Sequence, residues 1–390
     1  MPSPISIYLD NHATTPVDPR VLAAMLPWFT EQFGNAASTT HPYGWRAEIA
    51  VKQSRELIAE AIGAQPMEVV FTSGATESDN LAIKGVAEAY ASIGDHIITA
   101  ATEHNAVLDT CRYLEQRGVA VTYLPVDAEG RINLDELQAA FTQRTVLVSI
   151  MHGNNETGVI QPIQEIGAAC RQRRVLFHTD ATQTLGKIPF DVNELNVDLA
   201  SFSAHKMYGP KGCGALFVRR KGPRVQIAPQ LHGGGHEQGS RSGTLNVPGI
   251  VGFGEAVRIA AAGLATEQAE TQALRDLLLE LLSNQIGGLR VNGPDPRTSP
   301  GLRLPGNLNL CFPATEAAAL IGAARGVAFS TGSACSSANP QPSHVLRAMG
   351  LTPGQLRSSV RFGVGRFNTK QQILQAAQIL MQAAGVSPIA

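Results

Sequence analysis

Between residues 68 and 219 the chain switches repeatedly between two hydrophobic periods. Short strand-like runs lie near 68–72, 96–101, 119–126, 145–151, 175–179, 197–203 and 214–219. Helical patterns near 76–92, 105–117, 134–141 and 162–173 fill several of the gaps. Parallel neighbours need a crossover between them, usually a helix. The alternation therefore predicts an α/β fold, with a mainly parallel seven-stranded sheet and helices on both faces.

Residues 15–256 form the expected large domain. It includes helical patterns from Pro19 to Phe29 and from Arg46 to Ile62, the second stopped by Gly63. A long apolar helical stretch from 254 to 283 leads out of it. Beyond that, strand-like runs at 302–312, 328–331 and 360–362 mix with helical patterns near 315–324, 342–349 and 370–384. Residues 257–390, joined by 1–14, read as a smaller α+β domain. A small, polar, Gly/Pro-punctuated loop interrupts it near 328–342, with mobility expected from about Thr331 to Asn339.

Charge narrows the function. A net charge of -1 offers no basic field for nucleic acid or an anionic membrane surface. Only 16 % of residues are charged, against about 25 % ordinarily, which favours an oligomer. The opening Met1–Asp10 lacks a basic n-region and a long apolar core, so no signal peptide is expected. No uninterrupted run reaches the roughly 18 apolar residues of a span. Five scattered cysteines without a Cys-x-x-Cys pair suggest neither a disulfide framework nor a zinc site, and fit a reducing cytoplasm. His232 and His236 alone are too few ligands for a metal.

The chemistry gathers where strands end. Of seven lysines, only Lys206 closes an apolar strand, beside Ser203 and His205. An amine placed there can bond covalently to a carbonyl cofactor such as pyridoxal 5'-phosphate. Gly74, Ala75 and Thr76 join a strand to a helix whose free amides suit a phosphate, or else form an ordinary N-cap. Asp180 ends another strand and either holds a pyridine nitrogen or caps a helix. His104 sits at a third junction, where an imidazole can stack on a cofactor and move protons. Asn154 and Asn155 follow a fourth strand, as ligand contacts or as turn residues.

Taken together, Ser73–Asn80, Thr102–Val107, His152–Gly158, His178–Gln183, Ser203–Lys206, Arg241–Thr244 and Ser330–Ser336 resemble the motifs of a cysteine desulfurase of the NifS/IscS type, group I. That family has the fold type I, class V aminotransferase architecture. The resemblance runs from Tyr8 to about Phe367. It implies pyridoxal phosphate bound through a Schiff base to Lys206, with Asp180 on the ring nitrogen and Asn155 and Gln183 beside the ring. His104 would stack on the ring, and Ala75, Thr76, Ser203 and His205 would hold the phosphate. Thr244 would reach the phosphate of a second subunit in a homodimer. Arg361 would clamp the carboxylate of L-cysteine, with Arg366 as the rival, and Cys335 would accept the sulfur. The implied reaction yields L-alanine and a Cys335 persulfide, passed to an acceptor such as an Fe–S scaffold or a tRNA-thiolation protein. The chain departs from the family at Ala36 and at Asn339–Pro342, and it stops at Ala390 without the tail that helps some members dock a scaffold. Rival readings are a selenocysteine lyase, a C–S lyase, a class V aminotransferase, or a silent scaffold on the same fold.

Overall fold

The computed structural model describes residues 7–331 and 342–386. Its strands, in chain order, are β1 (Ile7–Tyr8), β2 (Val69–Thr72), β3 (His96–Ala100), β4 (Ala120–Leu124), β5 (Thr145–Ser149), β6 (Leu176–Asp180), β7 (Leu199–Ser203), β8 (Gly214–Val218), β9 (Arg290–Val291), β10 (Asn307–Cys311), β11 (Val327–Ala328) and β12 (Ser359–Gly363). Seven of them form one sheet in the order β2-β8-β7-β6-β5-β3-β4. Only β8 runs against the rest, pairing antiparallel with both β2 and β7. The expected α/β, mainly parallel sheet is therefore present.

Side-chain alternation along the strands splits the sheet's apolar residues between two cores. Phe71 and Phe217 enter one, with Phe177, Phe202 and Phe253. Val70 and Leu216 enter the other, with Leu81, Ile83, Val107 and Leu147. Parallel strands buried on both faces read as continuous apolar runs, and β2, β3, β5, β6, β7 and β8 are buried along their whole length.

The helix expected from Pro19 to Phe29 is two, Pro19–Met25 and Pro27–Thr30. Pro27 has no N–H to continue the first, and its ring crowds the preceding turn. The long helix begins earlier than the sequence pattern indicates and runs from Val247 to Gln285, capped by the Asn246 side chain on Gly249 N–H. Its first part packs into the large-sheet core through Ile250, Phe253 and Val257. Its last turns, through Leu278, Leu279 and Leu282, enter a separate core around β10 and β12. This helix is long and apolar enough to cross a membrane by length and composition, but more than half of its most apolar window is buried inside the protein.

The second sheet is short: β10 pairs antiparallel with β9 and β12. The short strand β1 pairs parallel with β11, and Asp10 bridges to Gly363. That pairing carries the following loop, Asn11–Thr15, across to the carboxyl edge of the large sheet, where Thr15 N–H donates to the His205 carbonyl.

Candidate active site

In an open α/β sheet, parallel strands deliver their carboxyl ends to one edge. Here β2, β3, β5, β6 and β7 lead there to Ser73–Thr76, to His104, to Met151, Gly153 and Asn155, to Asp180, and to Ser203, His205 and Lys206 respectively. These residues line one cavity of about 490 Å3, closed on its other sides by His12, Ala13, Gln183, Lys211 and Arg361.

One end of the cavity is the start of helix Ala75–Ala89, which has no side-chain cap. Gly74 precedes it at φ 149°, a conformation that other residues rarely adopt. The opposing backbone comes very close, for a Cβ on Gly214 would lie 2.6 Å from Gly74 Cα. The amides of Ala75 and Thr76 thus open onto the cavity beside the Ser203 hydroxyl, His205 and Lys211. Burial, then the positive charges of Lys206, Lys211 and Lys187, lower the His205 pKa to about 4. The ring is therefore neutral near pH 7, with Nδ1 against Thr14 Oγ1 at 3.0 Å.

Asp180 terminates β6, and its Oδ1 accepts the Thr182 N–H at 2.9 Å. Behind it a polar ladder crosses three strands: Ser149 Oγ and Ser201 Oγ meet the two nitrogens of His178 at 2.8 and 2.9 Å. Burial pulls the His178 pKa down to about 3. Asp79, fully buried and 3.7 Å from His178 Nε2, is pushed well above the carboxylate range by burial and then by the charge of Asp180. Buried Glu103, which accepts the Met151 N–H, is raised too, chiefly by burial. Three carboxyl groups thus lie in one region, and burial disfavours the charged form of the two that do not line the cavity.

Lys206 Nζ donates to the carbonyls of His12 at 2.8 Å and Ala13 at 2.6 Å. His104 caps helix Asn105–Glu115 by accepting the Ala106 N–H on Nδ1. Arg361 lies at the centre of β12, 1 % exposed, with Nη1 on the Asn155 carbonyl and Nη2 on Asp10 Oδ1, each at 2.9 Å.

Ala75, Thr76, His104, Asn155, Asp180, Gln183, Ser203, His205, Lys206 and Arg361 all line this one cavity. Arg366 is elsewhere: it pairs with Asp18 and Glu267 and stacks on Tyr208. Asn154 is a turn residue whose Oδ1 accepts from Glu156 and Thr157. Thr244 is exposed and outside the cavity lining. Cys335 and its loop lie outside the described residues. Cys111, Cys170, Cys213 and Cys311 are buried.

Several site residues carried no usable sequence signal. Lys211 lines the cavity, and so do His12 and Ala13. Lys187 is partly buried, with Nζ donating to Gln183 Oε1. The one hint was the polar run Asn11–Thr15, which has neither helical nor strand period.

A polar cavity thus lies at the carboxyl edge of a mainly parallel sheet, where α/β folds hold their ligands, with a lysine, a carboxylate and a helix N-terminus converging on it. Residues 7–375 match the family described as Aminotransferase class-V, and the chain belongs to that family. It is 55 % identical over 378 residues to the cysteine desulfurase IscS of Anaeromyxobacter sp. (strain Fw109-5), covering 97 % of this chain and 92 % of the relative. To the cysteine desulfurase IscS of Rickettsia bellii (strain OSU 85-389) it is 51 % identical over 376 residues, covering 96 % and 90 %. A solved NifS-like protein superposes with a TM-score of 0.89 at 39 % identity, over 97 % of this chain and 99 % of the other. The structure described as SspA in complex with cysteine gives 0.82 at 37 % identity, over 93 % and 100 %.

Proposed function

We propose that this chain is a cysteine desulfurase that converts L-cysteine to L-alanine and keeps the sulfur as a persulfide on Cys335, using pyridoxal 5'-phosphate in the cavity described above. The observation that carries this reading is the convergence of Lys206, Asp180 and the uncapped helix start on a single cavity. These donors fit the cofactor: free helix amides and hydroxyls for its phosphate, a carboxylate for its ring nitrogen, an amine for its aldehyde. When bound, the cofactor supplies a ring that stores the electron pair released at the substrate's Cα.

The chain's own residues divide the rest of the work. Ala75, Thr76, Ser203 and His205 hold the phosphate, and His104 and Asn155 flank the ring. The Asp180 carboxylate holds the proton of the ring nitrogen. The amine of Lys206 takes the Cα proton and returns one to the alanine. The Arg361 fork orients the substrate carboxylate, a contact that a planar guanidinium favours. The Cys335 thiolate attacks the substrate sulfur: an S–S bond forms, the Cβ–S bond breaks, and the carbon fragment leaves as alanine after protonation.

Two flanking contacts support the role of Cys335. On one side Ser330 bridges to Arg361, and on the other His344 Nε2 bonds the Glu103 carbonyl next to His104. Ser330 and His344, described residues on either side of Cys335, thus contact a cavity residue and the neighbour of one. The other cysteines are poor nucleophiles, since burial pushes the Cys111 and Cys213 thiols up to about 12 and Cys170 higher still.

The active unit is a homodimer. Leu26, Phe29, Phe33, Trp45 and Ile49 are each about half exposed or more and fall within residues 26–49, exposed apolar side chains suited to a second copy. Thr244 is exposed and outside its own cavity's lining, which supports assigning it to the partner's phosphate. The persulfide passes to an acceptor protein such as an Fe–S scaffold. The reading is tested by supplying L-cysteine and measuring alanine and sulfide with and without a reductant. Stoichiometric alanine with sulfide released only on reduction supports it, whereas pyruvate, or a requirement for a keto acid, refutes it.

A further inference from the structure

Beside the proposed cofactor cavity lies a closed set of hydrogen bonds that the reaction as described does not use. Lys187 Nζ donates to Gln183 Oε1 at 2.9 Å. His12 Nδ1 meets the same oxygen at 3.0 Å. Gln183 Nε2 donates to the His12 carbonyl at 2.9 Å, and Lys206 Nζ donates to that carbonyl too. Gln183 and His12 are nearly inaccessible, and both line the cavity.

The chemistry of the partners fixes the orientation of the amide. A lysine donates and a backbone carbonyl only accepts. The end of Gln183 that faces Lys187 must therefore be oxygen, and the end that faces the His12 carbonyl must be nitrogen. Lys187 and His12 fill both lone pairs of Oε1. Nε2 spends one hydrogen on His12, leaving one N–H. We propose that Lys187 and His12 are positioning residues that lock Gln183 so that it offers the cavity a hydrogen-bond donor and never an acceptor.

Burial supports the tautomer this requires. It holds the His12 imidazole well below its ordinary pKa, helped by the charges of Lys187 and Arg361, so the ring is neutral and its proton sits on Nδ1. His12 Nε2 accordingly has no hydrogen-bond partner among the described residues. The charged groups that act on Lys187 are Lys206, Glu267 and Arg361.

The inference rests on the reading that pyridoxal phosphate binds here. A fixed donor suits the ionised ring oxygen of that cofactor, and stabilising the anion disfavours protonation of the chromophore. Losing the lock must therefore raise the pH midpoint of the bound cofactor's visible absorbance.

The test uses holoenzyme and compares wild type, Lys187→Met, His12→Leu, Gln183→Leu and the Gln183→Leu/Lys187→Met double variant. Lys187→Met and His12→Leu should each raise the midpoint by about half to one pH unit, the size of one net hydrogen bond. In the Gln183→Leu background, Lys187→Met should add nothing. His12→Leu changes no charge and carries the test alone if the lysine variant is not recovered folded. Unchanged midpoints with cofactor bound overturn the proposal. So does a full Lys187→Met shift in the Gln183→Leu background, which would mean a charge acting through space. A wild type that binds no cofactor fails at an earlier point, and takes the proposed function with it.

Discussion

Asp180→Asn separates holding the cofactor from holding the fold. The substitution keeps the shape, and its amide oxygen can still accept the Thr182 N–H that Oδ1 accepts now. What faces the cavity becomes a neutral NH2 group, which cannot pair with a protonated ring nitrogen. Removing one partner of a buried ion pair costs about 3 to 5 kcal/mol. At 1.36 kcal/mol per decade, turnover should fall roughly 10²- to 10⁴-fold. Neighbouring acids will not restore the charge. Burial, which the substitution leaves in place, is the first cause disfavouring the charged forms of Asp79 and Glu103, and the charge of Asp180 is a lesser one. The cofactor-free variant should melt close to cofactor-free wild type, since the amide keeps the Thr182 contact and the shape of the site. The assay is alanine formation per bound cofactor, beside thermal unfolding of both cofactor-free proteins. A variant with wild-type turnover at full occupancy would falsify the role of Asp180, and a large loss of apoprotein stability would make its role structural.

Lys206→Ala should abolish alanine formation and the absorbance of the lysine-bound cofactor; a borohydride-reducible link to another lysine would refute the assignment. Cys335→Ser should still bind cofactor and L-cysteine yet release almost no alanine, and after wild-type turnover peptide mass mapping should find the extra sulfur on Cys335. Sulfur on Cys111, Cys170, Cys213 or Cys311, or full activity of the serine variant, would remove Cys335 from the mechanism. Phe33→Glu should shift sedimentation from dimer towards monomer and lower turnover; a stable, fully active dimer would place the interface elsewhere. His152, 5 % exposed and stacked near Phe190, has its pKa lowered by burial to about 4. A lowered histidine pKa gives stability that is complete above the unfolded value, near 6.5, and is lost as the pH falls towards 4. His152→Phe should therefore gain on wild type by about 1.4 kcal/mol per pH unit across that window, and denaturant melts with parallel pH dependence would contradict the buried, neutral ring.

Local pattern determined much of this protein. The change of hydrophobic period marks the seven strands, and polar residues placed just past apolar runs mark the strand ends. Ser73–Thr76, His104, Asp180 and Ser203–Lys206 were legible for that reason, since each follows a strand and parallel strands must end on one side. Pattern does not say which of two neighbours faces the cavity. Asn154 turns inward to cap its own loop while Asn155 lines the site, and Arg361 sits at the centre of a short strand while Arg366 pairs with Asp18 and Glu267. These outcomes depend on strand register and on the acids that tertiary packing brings near.

The tertiary structure alone decided the role of the loop after β1. His12 and Gln183 are 171 positions apart, and Lys187 looks like any lysine in a turn. Their meeting depends on β1 pairing with β11, which fixes where residues 11–15 cross the edge of the large sheet. A two-residue strand has too few positions to show a period, so its partner and its consequences are set by the packing of the whole chain.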